Sequence, residues 1–171
     1  YADNDPLIRS DSPCHPASFH GVMHLAREVM LSATLQKPST PLALLRPSVI
    51  YGAGDPHNSY GPNRFVRTAR KDGKIALFGG GEEQRDHIHV DDVARVVLET
   101  LLHRSSGVLN VATGKSVSFF DCATMVARLL EKSVEIVPSP RANPITHRHF
   151  DVSDRLRAFP NVQPADLEAG L

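Results

Sequence analysis

The chain has 171 residues, and its 19 Lys and Arg balance 19 Asp and Glu, so its formal net charge is zero with histidines neutral. That length is one domain or part of a larger one; the charge balance speaks against a strongly basic nucleic-acid binder and against an acidic tail. No apolar run approaches the roughly 18–20 residues that cross a bilayer, so no membrane association is expected.

The two cysteines, Cys14 and Cys122, are far apart and in no metal-ligand spacing. They read as reduced thiols of a cytoplasmic protein, with Cys122 in the core. The first residue is Tyr1 and no signal peptide precedes it, so the chain is expected to begin inside a longer protein.

Residues 1–18, with Pro6, Pro13 and Pro16, read as an irregular surface loop. Residues 19–35 lack proline and repeat Met23, Ala26, Met30 and Ala33 at helical spacing, which predicts a helix ending before Lys37-Pro38. Pro41 to Ile50 is a near-continuous apolar run interrupted by Arg46-Pro47, the pattern of a strand buried on both faces in a parallel sheet. The stretch from Tyr51 to Asn63, rich in Gly, Pro, Asn and Asp, is a long loop.

Residues 63–71 look helical, and Ile75 to Phe78 a short strand followed by a turn at Gly79-Gly80-Gly81. Val90 to His103 carries Val93, Val96, Val97 and Leu101 on one stripe, with Asp91 and Asp92 at the positive end of the helix and read as structural caps. Val108 to Val111 is a strand. Ser118-Phe119-Phe120-Asp121 has the spacing of a capping box and opens a helix to about Glu131. Val134 to Val137 is another strand, and the tail from Pro138 is rich in loops. Strands alternating with helices argue for βαβ units and a parallel sheet, an α/β architecture that by itself specifies no activity.

Four segments carry a family likeness in order and register. Pro16 to Glu28 (PASFHGVMHLARE) is similar to P-x-S-x-Y-G-x-S-K-x-x-x-E, and Leu45 to Asp55 (LRPSVIYGAGD) to L-R-x-x-x-V-Y-G-P-G-D. Phe78 to Ala94 (FGGGEEQRDHIHVDDVA) resembles G-x-G-x-Q-x-R-D-F-I-H-V-D-D-V-A, and Gly107 to Gly114 (GVLNVATG) resembles G-x-Y-N-V-G-x-G. Arg141 to Asp151 and Phe159 to Leu171 are similar to the closing stretches of the same pattern. The chain thus resembles the C-terminal half of the NAD(P)-dependent epimerase/dehydratase family, the extended short-chain dehydrogenases/reductases that modify nucleotide sugars.

The resemblance implies the C-terminal part of a Rossmann-like, doubly wound parallel sheet plus a small mixed α/β substrate-binding subdomain. Residues 1–58 would end the Rossmann-like domain, 59–86 enter the subdomain, 87–134 return to the Rossmann-like domain, and 135–171 form the subdomain tail. It also implies hydride transfer between NAD or NADP and a nucleotide-sugar. In the family a tyrosine takes the hydroxyl proton, and a lysine one helical turn later, on the same face, favours the phenolate and holds the nicotinamide ribose.

Those two catalytic positions are His20 and His24 here, and the pattern's serine is Met23. An imidazole titrates near neutral pH, so His20 can act as a base with altered geometry. The alternatives are that the standard chemistry is lost, leaving a catalytically inactive relative that binds a nucleotide-sugar or a protein, or that the i, i+4 histidines hold a metal. No third ligand is evident nearby, so no metal is expected.

Pro47, Ser48 and Val49 match the strand-end residues that face the nicotinamide. Asn63 falls in the substrate loop, or else caps a helix. Arg85 and Arg141 match the arginines that bind the substrate diphosphate, a task suited to bidentate guanidinium; otherwise Arg85 pairs with Asp86 or Asp91. Arg148 is a surface charge or a third phosphate contact. His87 and His89 read as core residues or supports.

The family's glycine-rich pyrophosphate turn is not found in these residues, so tight NAD binding is not expected of them alone. Gly79-Gly80-Gly81, placed by the likeness in a hairpin, is followed by two carboxylates that repel phosphate. A homodimer formed through the His20 helix is the analogy for assembly.

Overall fold

The computed structural model describes residues 1–35, 40–56, 58 and 61–171. Lys37-Pro38, the expected helix stop, lies outside them, as do His57, Ser59 and Tyr60 of the long loop. Within them, helix α1 (Phe19–Thr34) begins at Ser18, whose hydroxyl accepts from the Gly21 N–H. Strand β1 (Ala43–Pro47) follows, then β2 (Val49–Tyr51). Helix α2 (Pro62–Asp72) starts on a proline, which is preorganised for that position. It stops at Gly73, whose left-handed φ of 64° lets its N–H close on Ala69.

Next come β3 (Lys74–Phe78), β4 (Gln84–His89), α3 (Val90–Leu102), β5 (Gly107–Val111) and β6 (Ser116–Ser118). Helix α4 (Phe119–Leu129) is capped by Ser118, whose hydroxyl accepts from the Asp121 N–H, as the spacing predicts. Strand β7 (Glu135–Ser139) and the short helices α5 (Ser153–Ala158) and α6 (Leu167–Gly170) complete the chain.

The fold is α/β with parallel pairing, as expected: β1 with β5, β2 with β4, and β3 with β7, while β6 adds antiparallel to β4. Four local expectations are corrected. The apolar run 41–50 is two strands, because the chain changes partners at Ser48: its N–H still bonds Val111 of β5, and from Val49 the pairing is with β4. β1 is half-exposed, since among the described residues only β5 flanks it. Gly79–Gly81 is no hairpin turn, because β3 and β4 lie in different sheets. At Gly81 (φ 79°), a Cβ would meet Leu77 and the Phe120 backbone at 2.8 Å, so the turn is glycine for close packing. Finally, β4 hid behind a charged sequence, Gln-Arg-Asp-His, that does not alternate with the pleat.

Among the described residues two apolar cores form. Phe65, Ala69, Ile75, Leu77, Cys122, Ala123 and Val126 join α2, β3 and α4. Ile88, Val96, Leu109, Val111, Phe159 and Val162 join β4, α3, β5 and the tail. The buried face of α4 meets α2 and β3.

Candidate functional site

α1 and β1 line an open cleft of about 710 Å³ that contains His20, His24, Arg27, Tyr1, Arg46 and Pro47. One helical turn apart, the two imidazoles meet Nε2 to Nε2 at 3.1 Å, with ring centroids 4.4 Å apart. The Arg27 guanidinium lies 2.6 Å from His24 Nδ1. Glu28 anchors the helix to β1 through a 2.6 Å ion pair with Arg46, joining the first two motifs of the sequence. Arg46 also donates to the Tyr1 hydroxyl at 2.8 Å. That hydroxyl in turn donates to Asn110, and burial raises its pKa above the usual phenol value.

Of the strand-end trio, only Pro47 borders this cleft. The Ser48 hydroxyl donates to Asp86 Oδ1 at 2.8 Å, and Val49 pairs with His87 between β2 and β4. Asp86 is fully buried and also accepts from the Thr113 N–H and hydroxyl and the Gly114 N–H, at 3.0, 2.9 and 2.7 Å. Four donors satisfy this carboxylate, so Asp86 ties the ends of β1 and β5 to β4 and is not Arg85's partner.

A second cavity, of about 270 Å³, is lined by Arg64, Phe65, Phe78, Glu83, Arg85 and Phe119, among others. Arg85 lies 3.4 Å from Glu83 and donates to Gln84 and Thr146. Arg141 pairs with Glu82 at 2.8 Å and Glu83 at 3.1 Å and donates to the Phe78 carbonyl. The fold therefore gathers Arg85 and Arg141 around Glu83, whose carboxyl sits below the usual carboxylate range. Burial raises it, but the Thr146 N–H and the two arginines lower it more.

Asn63 is not a helix cap; Gly61 holds that place. Its amide brackets Gly52, donating to the carbonyl at 2.8 Å and accepting from the N–H at 3.3 Å, and also donates to Asp55. Asp91 and Asp92 do not cap α3 either. His89 does, accepting from the Asp91 N–H, while buried Asp92 accepts from Ala165 and pairs with Arg95. Arg148 binds the Ala2 carbonyl and Asp3, which fastens the N-terminal loop.

His87 is 3% exposed, stands edge-on to Phe119, and neither ring nitrogen has a partner among the described residues. Desolvation pushes its pKa down to about 4. Cys14 and Cys122 are both free; burial raises the Cys122 thiol to about 12 and leaves it inert. Among the described residues no group of three or more His, Cys, Asp or Glu can hold a metal, and no helix is long and apolar enough to cross a membrane. Sequence reasoning missed Arg27, although its spacing of three from His24 on one helix face was the available signal.

These features are those of a Rossmann-like α/β fold with a cleft between α1 and the parallel strand β1. The family model described as NAD dependent epimerase/dehydratase family matches residues 1–112, and the chain belongs to that family. The dTDP-L-rhamnose 4-epimerase of Burkholderia thailandensis is 30% identical over 167 residues, covering 91% of this chain and 45% of the relative. The dTDP-4-dehydro-6-deoxy-D-allose reductase of Streptomyces bikiniensis is 28% identical, covering 84% and 45%. The solved structure of MoeE5 in complex with UDP-glucuronic acid and NAD superposes with a TM-score of 0.84 at 27% identity, covering 97% of this chain and 57% of that one. The chain thus spans about half the length of the relatives it matches.

Proposed function

We propose that this chain is the substrate-facing part of an NAD(P)-dependent epimerase/dehydratase-like protein that acts on a nucleotide-sugar by hydride transfer, with His20 handling the proton of the reacting oxygen and His24 orienting it. The observation that supports this reading is that both imidazoles border one open cleft between α1 and the parallel strand β1, together with Pro47, the last residue of that strand; ligands in open α/β sheets bind beside such strand ends.

The residues present fit one end of a dinucleotide. Leu25, Leu45 and Pro47 line the cleft with apolar groups beside polar ones, which suits a nicotinamide and its carboxamide, while no glycine-rich turn for the pyrophosphate occurs in these residues. When bound, that group supplies reversible hydride transfer. Arg85 and Arg141 are the cations for the substrate diphosphate, which has to displace Glu82 and Glu83 from them, and Asn63 sets the loop after β2. The apolar outer stripe of α1 is the surface for pairing with a second copy, which sedimentation of the native protein tests: a monomer would refute it.

The test of the reading is turnover by the native full-length protein with NAD or NADP and a panel of UDP- and dTDP-sugars, followed by nicotinamide absorbance and sugar NMR. Turnover is expected, and His20→Gln is expected to lower kcat by about 10²-fold or more with KM little changed. A second reading is favoured by the Nε2–Nε2 contact, which already occupies one nitrogen of each ring: a relative that binds the nucleotide-sugar without converting it. Tight binding with no turnover of any sugar would sink the enzymatic reading and leave this one.

A further inference from the structure

The fixed cation that position 24 lacks is present one turn further along the helix. We propose that Arg27 is the positioning residue of the His20–His24 pair, locking both imidazoles into single tautomers so that the pair offers a hydrogen-bond donor to an oxygen of the bound ligand. The proposal rests on the reading of this cleft as the ligand site, and it adds the direction in which the pair works.

The argument follows from what each group can do. A guanidinium has only donors and keeps its charge at any working pH, so at 2.6 Å from His24 Nδ1 it makes that nitrogen an acceptor. A neutral imidazole carries one N–H, and the bond made by one ring nitrogen decides the state of the other. His24 therefore carries its proton on Nε2. That nitrogen faces His20 Nε2 at 3.1 Å, so His20 Nε2 accepts and His20 carries its own proton on Nδ1. The donor chain runs from Arg27 through His24 to His20.

The groups around this chain leave it intact. Glu28, the acidic side chain in the same cleft, is held by Arg46 at 2.6 Å and does not take Arg27. Resting His20 thus has its lone pair engaged and an N–H to give. It suits an acceptor oxygen such as a sugar carbonyl, whereas the tyrosine–lysine arrangement of the resembling family favours an anionic acceptor of protons.

The test is selective ¹⁵N-histidine labelling of the native full-length protein, with long-range ¹H–¹⁵N correlation near neutral pH. His24 is expected to show an unprotonated Nδ1 and a protonated Nε2, and His20 the reverse. Arg27→Leu should leave the melting temperature unchanged while both rings move to mixed tautomer shifts, and Arg27→Lys should restore the single states. A protonated His24 Nδ1 in the native protein, or tautomers indifferent to Arg27→Leu, would overturn the proposal. Neither outcome depends on catalysis, so this readout stands or falls apart from the turnover assay.

Discussion

α1 and α4 look alike in sequence, each an apolar-rich helix opened by a serine cap, yet the structure uses them in opposite ways. α4 is closed in: Cys122, Ala123 and Val126 are buried against α2 and β3. α1 runs 16 residues and buries none of them, with Phe19 96% and Met30 68% exposed. Burial of apolar area stabilises only where a partner removes water. α4 therefore ties α2 and β3 into one core, whereas α1, among the described residues, is held by its Ser18 cap and the Glu28–Arg46 pair.

Perturbing the two regions should sharpen this contrast. The largest loss is expected in the closed core. Phe65, 3% exposed, stands edge-on to Phe119 with ring centroids 6.2 Å apart, and Phe65→Ala should cost about 3–5 kcal/mol in urea denaturation. A loss below ~1 kcal/mol would mean that this core does not carry the fold.

The next effect is pH-dependent. His87 packs on the same Phe119, and burial holds its pKa at about 4 in the fold against 6.5 for the free group. Its depressed value means that the unfolded chain binds the extra proton first. Stability is complete above pH 6.5 and is lost as pH falls toward 4, by about 3 kcal/mol in all. His87→Phe, which restores the residue of the resembling motif, should flatten that slope and stabilise the fold, because it removes two buried nitrogens without partners. An unchanged slope in the variant would assign the pH effect elsewhere.

The smallest effect belongs to α1: Met30→Ala should shift stability by no more than about 0.5 kcal/mol in this chain. A cost comparable to that at Phe65 would show the two helices to be packed alike.

Most elements and the family were legible in the sequence, because helical periodicity, the capping box at Ser118 and four motifs in register are local properties of the chain. β4 was not legible, since two of the three residues it buries, Asp86 and His87 beside Ile88, are polar and disguise a strand. The roles of Asn63, Asp92 and Ser48 also escaped, because each is set by a partner far along the chain, Gly52, Ala165 and Asp86 respectively.

The sequence alone determined that imidazoles occupy positions 20 and 24 on one face of a helix. Only the tertiary structure decided that Pro47 joins them, that Ser48 turns inward to Asp86, and that Arg85 and Arg141 share Glu83. The reason is physical: spacing along a helix settles which side chains are neighbours, but the ends of different strands meet only when the sheets that carry them have packed.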